Sequence, residues 1–313
     1  MKYFYSSAVF LSYFVNWPHF SATSFRLYQS RKNRKQFPLT AYFLPFFMIF
    51  LVALSLGQPL VFAPYFIKFF MIWSPYHFSG QTVGITLIYC RRWGIFIDKG
   101  TRMLLSFVIY GTFLISTLKF ETVMTSADYY GIRYPSFGVD PVLLTALEPM
   151  LVGAAVLLLL RMGQKMWQVK RLALFCLLPA FTQFVWFVLG NTNSRYNTFV
   201  PFFHSLQYML LAWAMQMHQR KAHEPKVAST LSYFGRQSML WYGVNVFGGA
   251  MLFYGLPWLL AELFSLDFFM TTGIFIAGVQ VHHFFVDGVI WKLRDKTVTA
   301  ALGKNTKELF VHV

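Results

Sequence analysis

Charged side chains are scarce in this sequence. They make up 12% of its 313 residues, against about 25% in a typical soluble domain. Only 11 residues are acidic, whereas 57% are hydrophobic and 20% are aromatic. This balance excludes an ordinary soluble protein and predicts an all-α, polytopic membrane protein. The length leaves no room for a separate soluble catalytic domain.

Cysteine and processing signals are scarce as well. The two cysteines, Cys90 and Cys176, lie in or beside apolar runs and offer neither a disulfide framework nor metal-ligand spacing. The first apolar run leads to Pro18 without a small-residue cleavage site, which argues against a cleavable signal peptide. Because that run is short, we expect that the chain starts upstream of Met1. No repeat or linker divides the sequence, so we predict a single transmembrane domain over 1–313.

Basic residues dominate the net charge of +16, and their placement excludes a nucleic-acid partner. They fall in alternate loops, which hold 22 of the 27 Lys and Arg residues: 26–35, 91–102, 161–171, 218–236 and 292–313. This is the positive-inside pattern of membrane proteins. It predicts an outside N-terminus, a cytoplasmic tail over 292–313 and contact with anionic lipids, in a bacterial inner membrane.

Apolar stretches between these loops predict about nine transmembrane helices. Their ranges are 3–20, 40–57, 62–90, 103–120, 142–160, 172–190, 198–217, 238–260 and 268–291. The third is longer than a bilayer requires, so we expect it to be tilted or broken near Pro75. Gly248 and Gly249 predict a close helix contact, and Gln183 predicts an interhelical hydrogen bond.

Five histidines lie in or at the ends of these apolar stretches, where ionisable groups are costly and usually functional. They are His19, His77, His204, His282 and His283. Four of them have a polar residue four positions later, on the same helix face: Thr23, Gln81, Tyr208 and Asp287. Three further histidines, His218, His223 and His312, lie in a basic loop or the tail, and we expect them to be solvated.

The depths of four histidines match. His19, His77, His204 and His283 precede the next basic flank by 7, 14, 16 and 9 residues, or about 10–24 Å along a helix. One such histidine alone is more often a packing residue, but four at similar depth predict a shared metal site. Imidazole suits iron, zinc or copper.

The candidate catalytic residues are the polar neighbours Gln81, Tyr208 and Asp287, which would orient the imidazoles from one turn away. His282 and His283 point about 100° apart on a helix, and Asp287 favours His283 as the ligand. His282 would face a second metal, a substrate or a neighbouring helix.

An early Pro18-His19 pair, the segment His77-Phe78-Ser79-Gly80 and later helix-borne histidines resemble the bacterioopsin-related family of retinal-forming membrane β-carotene dioxygenases. The resemblance covers a few short segments. It implies a polytopic helical fold with one iron held by histidines from separate helices. Paired histidine boxes, typical of membrane desaturases and alkane hydroxylases, are absent from the sequence, which disfavours a diiron enzyme.

The leading hypothesis is therefore a membrane oxygenase or oxidase with non-haem Fe(II), acting on an isoprenoid or acyl substrate. The main alternative is a transporter or channel in which the histidines and Glu148 form a relay. A bis-histidine haem protein and an acyltransferase with a histidine base also remain open. The oligomeric state is left open.

Overall fold

Almost all regular structure in this protein is helical. The computed structural model describes residues 10–122, 127–170, 172–189, 200–223 and 231–291. Within these ranges, five helices are long and apolar enough to cross a membrane: Leu39–Gly57, Lys99–Glu121, Val142–Gln168, Leu231–Phe264 and Phe268–Ile290. The all-α prediction is confirmed, and five candidate spans are found where the sequence predicts nine.

We number the helices α1 to α10 in chain order. They are α1 Asn16–Tyr28, α2 Arg31–Gln36, α3 Leu39–Gly57, α4 Ala63–Arg92, α5 Lys99–Glu121, α6 Val142–Gln168, α7 Leu178–Leu189, α8 Val200–His223, α9 Leu231–Phe264 and α10 Phe268–Ile290. A short hairpin of β1 Ala127–Tyr129 and β2 Ile132–Tyr134 lies between α5 and α6. Residues 10–14 are also helical.

Several boundaries differ from the predicted spans for local reasons. Helix α1 begins at Asn16 after a turn at Val15. Pro18 fits in its first turn, because backbone N–H groups there have no partner within the helix. Helix α4 continues through Pro75 without interruption. The predicted break is therefore absent there, and the proline lies inside a helix of 30 residues. The predicted span 172–190 is a 3₁₀ turn, Leu174–Cys176, followed by α7.

Two aspartates fix helix starts. The Asp98 carboxylate accepts a hydrogen bond from the Thr101 backbone N–H at 2.9 Å, and Asp267 accepts one from Met270 at 2.7 Å. Each satisfies a donor that the first helical turn leaves unpaired. Lys165 also forms an ion pair with Asp98. This ion pair, together with the Thr101 hydrogen bonds, holds the pKa of Asp98 well below its usual range.

The chain forms two compact units. The first comprises Met1–Phe70, Asp128–Ile132 and Thr198–Val313, and the second comprises Met71–Ala127 and Arg133–Asn197. The prediction of a single transmembrane domain stays a prediction.

In the first unit, α1 lies against α8, α9 and α10. It approaches α9 closely, because a Cβ atom added to Gly249 would lie 2.6 Å from the backbone carbon of Trp17. One residue earlier, a Cβ on Gly248 would collide with the Ser21 side chain. The predicted close contact at the glycine pair is therefore confirmed, and it fixes the segment of α1 that carries His19.

The second unit has a buried polar network at its core. The Gln183 amide nitrogen on α7 donates to the hydroxyl oxygens of Ser79 at 2.8 Å and Thr112 at 3.3 Å. The Thr82 hydroxyl donates to the Gln183 amide oxygen at 3.0 Å. The predicted interhelical role of Gln183 is confirmed, because these bonds join α4, α5 and α7. Buried polar groups satisfied in this way stabilise a helix contact instead of weakening it.

Two further sequence expectations concern charged or ionisable side chains. Glu148, the candidate relay carboxylate, is partly exposed and forms an ion pair with Lys119 at 2.7 Å within the second unit.

His218 is buried within α8 at 8% exposure, so the expectation that it is solvated is wrong. Helix α8 extends to residue 223 and carries His218 inside the first unit, where the sequence suggested a loop. His223 and His312 have no described side chain.

Candidate metal centre

Three imidazoles meet inside the first unit. His19 on α1, His204 on α8 and His283 on α10 are buried, with 0%, 3% and 1% exposure. One potential ligand nitrogen from each lies within 4.8 Å of the other two. Each ring comes from a different helix, so the group is a product of the tertiary fold and not of one local motif.

The rings of this group contact each other directly. The centroids of His19 and His283 are 4.3 Å apart, and those of His19 and His204 are 5.2 Å apart. His19 is thus the central ring. Its helix is tied to α8 beside His204, because the Ser205 hydroxyl donates to the Asn16 side-chain oxygen at 2.7 Å. This bond joins the start of α1 to the residue that follows His204.

Asp287 lies one turn after His283, as the spacing predicts. The Nε2 atom of His283 is 3.3 Å from Oδ2 of Asp287, and both side chains are buried. A carboxylate at one ring nitrogen is the usual partner of a metal-binding histidine, because it fixes the tautomer and the ring orientation.

Tyr208 contacts α1 as well as lying on α8. Its ring lies 4.1 Å from the His19 ring, and its hydroxyl is 2.6 Å from Oγ1 of Thr23. The phenol therefore joins two helices of the group. Its predicted role of orienting His204 from one turn away stays a prediction.

Thr23 is a residue that the sequence analysis did not place in the site. It is fully buried, and its Oγ1 also lies 3.2 Å from Oδ1 of Asp287 and 3.2 Å from the His19 carbonyl oxygen. The signal that could have found it is its position four residues after His19, on the same helix face. A threonine in a membrane helix is too common for that signal to stand alone.

Three further predicted site residues are not members of the group formed by His19, His204 and His283. His282 is half-buried on α10 and, among the described residues, the group with His19 and His204 contains its neighbour His283 instead. His77 and Gln81 lie on the part of α4 that belongs to the second unit. Their participation in the same centre stays a prediction.

Aromatic side chains cover one side of the centre. The Phe20 ring is 4.7 Å from His283 and 5.0 Å from Phe253, which in turn stacks on Trp17 at 5.6 Å. Phe253 lies in a π-helical turn of α9, Met251–Gly255, a feature often found at functional sites. Tyr130 from the hairpin belongs to the same apolar cluster.

A positively charged side chain, Arg26, lies near the other end of α1. The Arg26 guanidinium stacks over the Trp291 ring at 3.9 Å and donates to the Ile290 carbonyl oxygen at 3.5 Å. Two turns of α1 separate it from His19. Near His19 lie the rings of Trp17, Phe20 and Phe253, here called the aromatic wall, and Arg26 lies two turns further along α1.

The donor set determines what the centre can bind. Three neutral nitrogen donors in a dry site suit iron, zinc or copper, whereas magnesium and calcium require oxygen ligands. Nitrogens that share one metal at about 2.0–2.1 Å lie within roughly 4 Å of one another. Ring shifts of about 1 Å would bring His19, His204 and His283 from their observed separation to that distance.

No protein-family model matches this chain, and comparisons with curated proteins and with solved structures find no similar protein.

Proposed function

We propose that this protein is an integral-membrane enzyme in which His19, His204 and His283 hold a non-haem iron that oxidises a lipid-soluble substrate. The observation that carries the proposal is the convergence of three buried imidazoles from three helices. A buried neutral imidazole has one donor and one acceptor, which neighbouring polar groups can satisfy singly, so packing alone gives three histidines no reason to meet. Bringing three together in an apolar interior is costly unless a shared ligand compensates.

Iron bound there would supply the oxidative chemistry. The protein residues would bind and orient: the three imidazoles would act as ligands, and the Asp287 carboxylate, 3.3 Å from Nε2 of His283, would orient that ring. The low exposure of all these side chains, from 0% to 8%, keeps bulk water out. Water exclusion favours oxidation of the substrate over loss of reactive species to solvent.

The aromatic wall supports an apolar substrate. Trp17, Phe20 and Phe253 form a continuous set of rings that reaches His283. Such a surface suits an isoprenoid or acyl chain, which brings no polar group that requires a partner. The membrane would deliver such a substrate directly to the helices.

Two alternatives have less support. Axial histidines of a haem lie on opposite faces of the macrocycle, whereas His19 and His283 are in direct ring contact at 4.3 Å. A histidine and carboxylate relay would use Glu148, which is ion-paired with Lys119 and partly exposed.

For the membrane arrangement, we propose nine spans in a bacterial inner membrane, with the N-terminus outside and the C-terminal segment 292–313 in the cytoplasm. The five apolar helices support the spanning character, and the alternating basic loops support the orientation.

Metal analysis combined with an absorption spectrum of the purified protein tests the proposed enzyme. We expect bound iron without a Soret band, and loss of that iron in His19→Ala, His204→Ala and His283→Ala. His218→Ala is the matched control, because His218 is also buried and lies on the same helix as His204. A Soret band would instead indicate haem. Absence of metal would contradict the proposal and favour transport or acyl transfer.

A further inference from the structure

We infer that the tip of the hairpin between α5 and α6 is a lid on the aromatic wall: the Tyr130 ring closes the wall and has to leave its place on α10 before an apolar chain can reach His283. The inference rests on the proposed function for its substrate, an acyl or isoprenoid chain, whereas the lid itself needs no metal. The tip residues Asp128–Ile132 belong to the first unit.

Tyr130 occupies a backbone position that does not suit its side chain. The two strands leave Tyr130 and Gly131 as a two-residue turn, and both residues have positive φ angles, 53° and 76°. Such turns prefer Asn, Asp and Gly, because a bulky residue is strained in the left-handed region. Backbone strain of this kind persists where the surrounding structure holds it in place, often at ligand-binding sites. Contacts of the Tyr130 ring must therefore offset the strain of the turn.

Those contacts lie on α10. The Tyr130 ring is 4.8 Å from the Phe269 ring, and a Cβ atom added to Gly273 would collide with the Cβ atom of Tyr130. Phe269 and Gly273 thus form the seat of Tyr130. Beside it, the Tyr129 ring lies 5.6 Å from the Phe70 ring. The tip is therefore attached to the first unit through both of its tyrosine rings.

Tyr130 also reaches the aromatic wall. It packs against the apolar cluster of Phe20, Phe253 and Ile276, and the Phe20 ring is 4.7 Å from the His283 ring. Apolar side chains thus connect the hairpin to the imidazoles. Because Phe20 and Phe253 are buried, the wall is closed in this structure, and an apolar chain can reach it only through an opening.

Tyr130 is the part of this cluster that moves at the lowest cost. The other residues of the cluster lie on the packed helices α1, α9 and α10. The hairpin has strands of only three residues, and a two-stranded hairpin alone is marginally stable in water. Its turn is closed locally, because the Gly131 N–H donates to Oδ1 of Asp128 at 3.1 Å. The tip can therefore leave and return as one piece, as expected of an element that opens for a ligand.

Photolabelling tests the lid. The probe is a long-chain fatty acid with a terminal diazirine, mixed with the full-length protein in lipid, illuminated at intervals and mapped by mass spectrometry. Label on Phe253, which is 3% exposed, reports entry of the chain. Label on Phe247, which is 69% exposed on the same helix, reports the chain in the surrounding lipid. The ratio of the two labelling rates measures access to the wall.

Two substitutions open the lid by different routes. Tyr130→Gly removes the ring and relieves the strain of the turn, whereas Gly273→Ala keeps the ring but fills its seat. Two controls match them. Tyr130→Phe keeps the ring, and Gly288→Ala adds a Cβ atom near the other end of α10, where nothing lies within 4 Å. Because the two lid variants act independently, failure of one to fold leaves the other as the test.

We expect the labelling rate of Phe253 relative to Phe247 to rise about 3–10-fold in Tyr130→Gly and in Gly273→Ala. Loss of one aromatic contact shifts the equilibrium between the closed and open lid by about that factor. The ratio should keep its wild-type value in both controls. An unchanged ratio in the lid variants would overturn the inference, and so would the absence of label on Phe253 in every variant.

Iron content of the same samples separates this inference from the proposed function. A rise in the labelling ratio together with no iron in the wild type would support the lid and refute the iron enzyme. Iron in the wild type together with an unchanged labelling ratio would support the iron centre and overturn the lid.

Discussion

The Nε2 atom of His283 lies 3.3 Å from Oδ2 of Asp287, one helical turn further along α10. The contact joins an imidazole whose ring lies 4.3 Å from that of His19 with a buried carboxylate. Under the proposed function the two residues have distinct roles, because a histidine that binds metal through one nitrogen is usually oriented by a partner at the other. The roles can be separated by substitution.

We expect His283→Ala to abolish iron retention and Asp287→Asn to lower iron affinity about 10–100-fold while keeping the fold. The amide retains the shape of the carboxylate but offers an N–H to one of its two partners. His282→Ala should have a smaller effect than His283→Ala, because its side chain points about 100° away. Iron content per protein and circular dichroism measure these effects.

The reverse result is informative as well. If His282→Ala removes the iron and His283→Ala does not, His282 is the ligand and His283 points away from the metal. If all three variants keep wild-type iron content, the pair serves packing and the metal centre loses its α10 ligand.

Gly249→Ala should destabilise the first unit and weaken iron binding. Its Cβ would meet the backbone of Trp17 at 2.6 Å, and backbone cannot rotate away as a side chain can. We expect a loss of about 1–3 kcal/mol in the free energy of unfolding. Gly243→Ala on the same helix is the control, since nothing lies within 4 Å of its added Cβ, and it should be neutral or stabilise by about 0.5–1 kcal/mol. Equal effects of both substitutions on unfolding would contradict the close contact.

The second unit should lose stability in acid as the Asp98 carboxylate becomes protonated. The folded-state pKa of this carboxyl is depressed by Lys165 and Thr101, so its stabilising contribution is complete above the unfolded pKa of about 3.9 and is lost as the pH falls below it. Asp98→Asn should therefore lower the unfolding temperature at neutral pH. Between about pH 5 and pH 2, the unfolding temperature of this variant should fall less than that of the wild type.

The control for that measurement is Asp267→Asn. Asp267 caps α10 through the Met270 N–H, but no ion pair to it occurs among the described residues. In Asp267→Asn, the unfolding temperature should fall with decreasing pH about as steeply as in the wild type. If the unfolding temperature of Asp98→Asn falls with pH as that of the wild type does, the ion pair has no effect on stability.

Orientation in the membrane can be tested with single cysteines at Lys32 and Asp128, both of which are exposed. The native Cys90 and Cys176 are buried at 1% and 0% exposure, so they should give little background. We expect an impermeant thiol reagent to label Asp128→Cys from outside and Lys32→Cys only after lysis. The opposite labelling would overturn the proposed orientation and the assignment of the basic loops to the cytoplasm.

Local patterns predicted several parts of the site correctly. The four-residue spacing placed Asp287 against His283, because two such positions stack on any α-helix. The glycine pair predicted a close helix contact, since a residue without a Cβ lets two helix backbones approach closely. That the partner is α1 came only from the structure. The position of Tyr208 was not predictable in the same way: its partner Thr23 lies 185 residues away in the sequence, and spacing within α8 has no information about α1.

The sequence by itself determined that this chain is helical, strongly apolar and supplied with histidines inside its apolar stretches. Those properties follow from composition and from the helical period, which act within a few residues. Only the tertiary structure decided that His19, His204 and His283 share one centre, and that Thr23 joins them. Which helix faces meet depends on side-chain packing between segments far apart in the chain, where the close approach at Gly249 and the bond between Ser205 and Asn16 set the position of α1.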